Sequence, residues 1–256
     1  MVEVLEASAY GEALGNAGSV LRSNAASAGM AAPVPTCPGW SVADLVLHQG
    51  IVHRWATDMV LGEPGRSTAE VRAEAEAASD VLDWFDDGLV DLLNALAKAP
   101  DDLQAYFFLP DAPPARLAWL RRQAHETTIH AVDAMAARLT RPPLASEVWV
   151  GTELAADGLD ELLTGFLPRK RHVLGSDEPQ RVLVAPSDAE RAWLIELGAE
   201  APAVTRVAAD TDADVACAGT ARQLYLGLWN RGDEVAVTGE VGWLDRWRES
   251  VRVTWS

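Results

Sequence analysis

Arg141-Pro142-Pro143-Leu144 is the stretch on which the fold turns. Consecutive prolines cannot continue a helix, and each disfavours the helical conformation in the residue before it. Upstream, from Val2 to about Leu139, Ala, Leu and Glu dominate and apolar residues recur at helical spacing. Breaks fall at Pro33-Val34-Pro35, Pro38-Gly39, Gly62-Glu63-Pro64-Gly65, Pro100, Pro110 and Pro113-Pro114. They predict four long helices, near residues 4–29, 41–61, 68–98 and 114–139. Ser41, with Asp44 three residues on, predicts a capping box at the start of the second. Four helices with short connections read as a bundle. Downstream, one helix is expected at 153–168, before the basic stretch Arg169-Lys170-Arg171-His172. Short apolar runs bounded by turn formers then read as strands at 181–185, 192–195, 203–207, 214–218, 234–238 and 251–255. Helices are expected between them at 219–229 and 241–247. The expected architecture is two-domain: a helical bundle over residues 1–144, and an α+β domain with a mostly antiparallel sheet over 145–256.

Composition narrows the class. Of 256 residues, 49% are hydrophobic and 23% charged, the balance of a folded globular chain. Lys and Arg number 21 against 38 Asp and Glu, a net charge of −17. Such a chain repels phosphate backbones and anionic membrane surfaces, so neither nucleic acid nor membrane is an expected partner. Cys37 and Cys217 cannot build a disulfide framework or a multi-thiolate metal site. The opening Met-Val-Glu-Val-Leu-Glu carries no basic residue, so no secretory signal is expected, and no uninterrupted apolar run approaches about 18 residues. A cytoplasmic location is the expectation.

The chemistry concentrates in Arg121-Arg-Gln-Ala-His-Glu126-Thr-Thr-Ile-His130-Ala-Val-Asp133. Glu126, His130 and Asp133 are spaced four and three apart and share one helix face. A carboxylate and an imidazole one turn apart are half a metal site, and bundles complete such sites from a facing helix. His48, in the apolar setting Leu45-Val-Leu-His48, is the candidate third ligand. Two histidines and a glutamate are a set that catalytic zinc uses, with one position left open. The zincin spacing is absent, because position 129 is Ile. Two other readings stand beside the metal: a solvated helix face, and an ion-pair network with Arg121 and Arg122.

Thr36-Cys-Pro-Gly-Trp-Ser-Val-Ala-Asp44-Leu-Val-Leu-His48 and Arg122-Gln-Ala-His-Glu126-Thr-Thr-Ile-His130-Ala-Val-Asp133 resemble the signature of the mycothiol-dependent maleylpyruvate isomerase family, within the DinB-like metalloprotein superfamily. Ala156-Asp157-Gly158-Leu-Asp-Glu161-Leu resembles the family's domain junction. Gly219-Thr-Ala-Arg-Gln-Leu-Tyr-Leu-Gly-Leu-Trp229-Asn-Arg231 resembles its sterol-carrier-like C-terminal domain. The resemblance runs nearly end to end. It implies a DinB-like four-helix bundle holding one divalent metal, typically zinc, with mycothiol as thiol cosubstrate. It puts His48, Glu126 and His130 on the metal ligands, Asp133 on an active-site carboxylate, and Arg231 on an arginine reaching into the cleft from the second domain. Asn230 departs from the family, where Gly is common. Many family members come from actinobacterial chains of this Ala-, Gly- and acid-rich type.

That resemblance implies an isomerase or thiol transferase acting on a small electrophile. Zinc with an open position binds a thiol and favours its thiolate, the nucleophilic form. Arg231 would clamp a substrate carboxylate, and Asp133 would orient His130 or handle a proton. Trp229, beside Arg231, is the tryptophan expected near a ligand, the others being core or interface anchors. Cys37 reads as an inert thiol and Cys217 as core. His53 lies about 140° round the helix from His48 and should face elsewhere, and His125 reads as a hydrogen-bonded support. The alternatives are a non-catalytic protein with structural zinc, and an apolar-ligand carrier using the second domain. Oligomeric state is left open.

Overall fold

The computed structural model describes residues 4–110, 112–169, 174 and 178–253. Lys170, Arg171 and His172 of the basic stretch, and residues 254 and 255 of the last expected strand, lie outside the described residues. The chain forms two compact units, Met1–Pro143 and Leu144–Ser256.

The first unit is helical: α1 (Ala7–Ala28), α2 (Val42–Leu61), α3 (Thr68–Ala77), α4 (Val81–Lys98) and α5 (Ala115–Leu139). The single helix expected over 68–98 is therefore two, and the described residues of this unit hold five helices, not four. Ala78 turns extended, and the Asp80 side chain accepts hydrogen bonds from the N–H groups of Leu82 and Asp83. A short acid that satisfies the backbone in this way starts a new helix instead of continuing the old one. The capping box at α2 forms: Ser41 N donates to Asp44 Oδ2 at 2.9 Å, and Asp44 N to Ser41 Oγ at 3.3 Å. Gly62, left-handed at φ 68°, ends α2.

Helix α5 is enclosed. Every residue from Ala118 to Ala137 is buried, including Arg122, Gln123, His125, Glu126, Thr127, Thr128, His130 and Asp133. Tyr10, Leu14, Ala17, Leu21 and Ala25 line the buried stripe of α1 at helical spacing, and α1 packs along α5. Helices α2 and α4 approach through a glycine: a Cβ on Gly50 would lie 2.1 Å from Trp84 Cζ3.

In the second unit α6 (Thr152–Asp160) runs on into six π-helical residues, Glu161–Phe166, and a 3₁₀ turn, Leu167–Arg169. There follow β1 (Gln180–Pro186), β2 (Ala192–Leu197), β3 (Ala203–Val207), β4 (Val215–Gly219), α7 (Ala221–Leu228), β5 (Ala236–Thr238) and α8 (Trp243–Ser250). The sheet order is β3-β2-β1-β4-β5. The expectation of a mostly antiparallel sheet is corrected: the sheet is mixed, because its central pair, β1 and β4, runs parallel with Val182 opposite Val215. The chain leaves β3 at one edge and starts β4 on the far side of β1, so β4 crosses over instead of turning back as a hairpin. Val182, Leu183 and Val184, and Trp193, Leu194 and Ile195, are buried in succession, the pattern of strands covered on both faces. Residues 251–253 form no strand. Thr220 caps α7, its hydroxyl accepting from Gln223 N. No helix of the described residues is long and apolar enough to cross a membrane.

Candidate metal centre

Burying this many polar groups on α5 is costly unless each is partnered, so the partners define the site. Glu126 is 4% exposed. Its Oε2 accepts from Arg122 Nη2 at 3.1 Å, one turn earlier on the same helix. Its Oε1 lies 3.5 Å from His48 Nε2 on α2 and 3.4 Å from His130 Nε2 on α5. One carboxylate oxygen is thus tied to a guanidinium, and the other faces two imidazoles. Ligand atoms of His48, Glu126 and His130 all lie within 4.8 Å of one another. The two imidazole rings meet edge to face at 4.9 Å.

The other nitrogen of His130 is also engaged. Nδ1 lies 2.9 Å from Asp133 Oδ2, and Asp133 is fully buried. Asp133 is itself held: Thr36 Oγ1 donates to Oδ1 at 2.6 Å, and the Cys37 thiol to Oδ2 at 3.2 Å. With Nδ1–H directed at the carboxylate, the lone pair of a neutral His130 sits on Nε2, on the side of Glu126 and His48. Trp40, from the turn that precedes α2, stacks on His130 at 6.1 Å and leans on His48 at 5.0 Å.

Charge follows this geometry. Burial works to raise the Glu126 carboxyl, but the bonds to His130 and His48 and the Arg122 charge hold it well below the usual carboxylate range. Burial works to lower His130, but Asp133 and Glu126 outweigh it and raise its pKa to about 9. Without an ion, His130 is therefore held as its cation beside two carboxylates; a divalent ion in this place would displace that proton and meet an ionised carboxylate and two imidazoles, the donor chemistry that borderline divalent ions take. His48 keeps 19% of its side chain exposed, while Glu126 and His130 keep 6% and 10%, so the group is reached from the His48 side.

The structure brings together four of the six candidate residues: His48, Glu126, His130 and Asp133. Trp229 and Arg231 belong to the second unit. Trp229 is buried against Phe166 and Tyr225 and donates from Nε1 to Gly158 O at 3.2 Å. Arg231 is half-buried, and its Nη1 donates to Trp229 O at 2.7 Å. Asn230 between them is left-handed at φ 62°, a conformation that Gly and Asn tolerate best, which accounts for the departure noted in sequence. His125 is fully buried edge-on to Tyr10. His53 is turned away from the ligand group, as its helical angle requires, and bonds Thr127. Sequence reading missed Thr36, Trp40 and the partnership of Cys37 with Asp133. Arg122 as the partner of Glu126 was open to it, since the two are four apart.

Comparison with known proteins follows the same lines. Residues 12–135 match the mycothiol maleylpyruvate isomerase N-terminal domain, and residues 153–246 match the C-terminal domain of the same family. Among solved structures, a mycothiol-dependent maleylpyruvate isomerase is similar at a TM-score of 0.65 and 14% identity, over 97% of this chain and 98% of that one. A histidine-to-alanine mutant of a mycothiol-dependent maleylpyruvate isomerase is similar at 0.61 and 15%, with the same coverage. No curated protein sequence matches.

Proposed function

Because the chain belongs to the mycothiol-dependent maleylpyruvate isomerase family, we propose that it is a metal-dependent enzyme that uses the mycothiol thiol on a small, carboxylate-bearing electrophile. His48, Glu126 and His130 are the proposed ligands of one divalent ion, zinc first. The observation that carries this reading is Glu126 Oε1, a buried and ionised oxygen within 3.5 Å of two imidazole nitrogens. A divalent ion there would supply a Lewis acid that favours the thiolate form of a bound thiol.

The remaining roles fall to the chain's own groups. Arg122 anchors Glu126 by its far oxygen and leaves the near one for the ion. Asp133 fixes the His130 ring and its tautomer, with Thr36 and Cys37 fixing Asp133 in turn. Trp40 walls one side of the two imidazoles. Arg231 is the proposed partner of the substrate carboxylate, because a guanidinium matches that group with two parallel bonds; the family resemblance around Trp229-Asn-Arg231 supports it. Thiolate addition to a cis double bond leaves a stabilised carbanion; rotation and expulsion of the thiolate gives the trans isomer, whereas protonation of that carbon with the sulfur retained gives S-transfer. The exposed edge of His48 favours an open, catalytic site over a closed structural one.

The test is spectroscopic. Cobalt-substituted protein should gain a thiolate-to-metal charge-transfer band on addition of mycothiol, and a weaker one with a simple thiol. Asp133→Asn should keep the band and slow turnover. A cobalt spectrum that ignores every thiol at saturation and neutral pH removes the nucleophile, and with it the enzyme reading.

A further inference from the structure

The face of α2 and α5 one residue round from the ligands carries a second polar cluster, closed to solvent. Gln49 follows His48, Thr127 follows Glu126, and His53 lies one turn beyond Gln49; all three are 0% exposed. Gln49 Nε2 donates to Thr127 Oγ1 at 3.0 Å and lies 2.9 Å from His53 Nε2. His53 Nε2 is also 2.9 Å from Thr127 Oγ1. One arrangement pairs a donor with an acceptor at each contact, His53 Nε2 sharing its single lone pair between two donors, while Gln49 Oε1 and His53 Nδ1 are buried without a hydrogen-bond partner among the described residues. The Gln49 amide donates to both partners, the Thr127 hydroxyl donates to a bare His53 Nε2, and the His53 proton sits on Nδ1.

We propose that Gln49, His53 and Thr127 are positioning residues that set the register of α2 against α5, and so the distance of His48 from Glu126 and His130. The proposal rests on the metal-site reading above. Two ligands come from α5 and one from α2, so the site exists only at one alignment of the two helices. A slip of one residue moves a side chain about 1.5 Å along the axis and 100° around it, whereas metal–ligand distances tolerate about 0.2 Å. Burial by itself is non-directional, so directional contacts sharpen the alignment that packing begins. Hydrogen bonds are directional, and in a dry interior a broken one is not replaced by water. The triangle spans the two helices immediately beside the ligands. His53 is kept neutral there, since burial lowers its pKa to about 3, and of its two neutral forms the one with the proton on Nδ1 suits the donors that face Nε2.

Thr127→Val removes the hydroxyl at nearly constant volume, and Thr127→Ser restores it. Zinc affinity of the metal-free protein, by competition with a chromophoric chelator, should fall about tenfold or more in Thr127→Val and His53→Leu, and recover in Thr127→Ser. Arg54→Met is the control. Arg54 is also buried on α2, but it bonds Trp84 O on α4, which carries no proposed ligand; this variant should lose stability and keep zinc affinity. Crystal structures of the metal-free proteins give the second readout: His48 should move relative to Glu126 in Thr127→Val and stay in Thr127→Ser. If the parent binds zinc and Thr127→Val binds it equally well, the register role is overturned and the site stands. If the parent binds no zinc, the site reading fails, and an unmoved His48 in the Thr127→Val structure overturns the register role separately.

Discussion

Glu126 in the helical unit and Asp160 in the sheet unit are both buried carboxylates, 4% and 1% exposed, and they are held by different kinds of donor. Asp160 accepts from Trp193 Nε1 at 2.9 Å and from Arg206 Nε and Nη2, each at 2.7 Å. An indole and a guanidinium do not surrender their protons near neutral pH, so these contacts are permanent. Glu126 has one such donor, Arg122, and turns its other oxygen to the Nε2 atoms of two imidazoles, a group that can give up a proton and offer a lone pair to a metal ion instead. Burial of a carboxylate therefore does not mark a functional site. Partners that can exchange a proton for a cation do.

The sharpest test of that contrast replaces each acid by its amide. Glu126→Gln should lower zinc affinity by at least about 100-fold, since one of three ligands is lost, while Asp160→Asn should leave it unchanged. Equal losses in chelator competition would break the distinction. Arg231→Ala extends the test into the second unit. Turnover on a carboxylate substrate should drop about 100-fold, zinc content should hold, and Arg231→Lys should recover only part, lacking the forked geometry. Full activity in Arg231→Ala would confine the chemistry to the helical unit.

Asp160→Asn should show its effect in stability instead. Breaking a fully buried pair costs about 3–5 kcal/mol, but the Arg206 side chain is 42% exposed. Water therefore keeps part of its solvation, and a loss near 2 kcal/mol is expected in urea unfolding. A zinc-loaded Glu126→Gln protein that melts like Asp160→Asn would show that the two acids do the same work.

The pH dependence of the metal-free protein is a gradual effect, spread over several pH units. His53 is lowered to about 3 in the fold against an ordinary value near 6.5. Between those values the unfolded chain binds more protons, so stability is complete above about pH 6.5 and falls on acidification, by up to about 1.4 kcal/mol per pH unit. His130, raised to about 9, acts oppositely: its contribution is complete below about pH 6.5 and is lost as pH rises through 9. A stability maximum near neutrality is expected, and His53→Gln should flatten only its acid side. An unchanged acid limb would mean that His53 is not held neutral.

The helical unit was legible where a residue's chemistry acts locally. Ser41 and Asp44 announced the start of α2, and the spacing of Glu126, His130 and Asp133 put them on one face. The Ser79-Asp80 break was also legible in principle, since an N-cap acid was present, but the helical texture on both sides masked it. The sheet was legible strand by strand and illegible in its pairing. Nothing in Val215-Ala-Cys-Ala218 says that it lies beside β1 and runs with it; crossover direction is decided by tertiary packing. At the site, Thr36 and Cys37 precede Asp133 by 97 and 96 positions. No local pattern carries a bond of that range.

Gly50 has a consequence that reaches beyond this one chain. Its missing side chain is the space that Trp84 occupies. An alanine at position 50 would ordinarily favour a helix by about 1 kcal/mol, yet here the added methyl falls inside the indole. Positions 50 and 84 are thus not free to drift separately over evolutionary time. Relatives that gain a side chain at the first should have traded the tryptophan at the second for something smaller, or moved α4 outward. An aligned set of such chains would carry this pairing as a covariance between two sites 34 positions apart, neither of which is a proposed ligand.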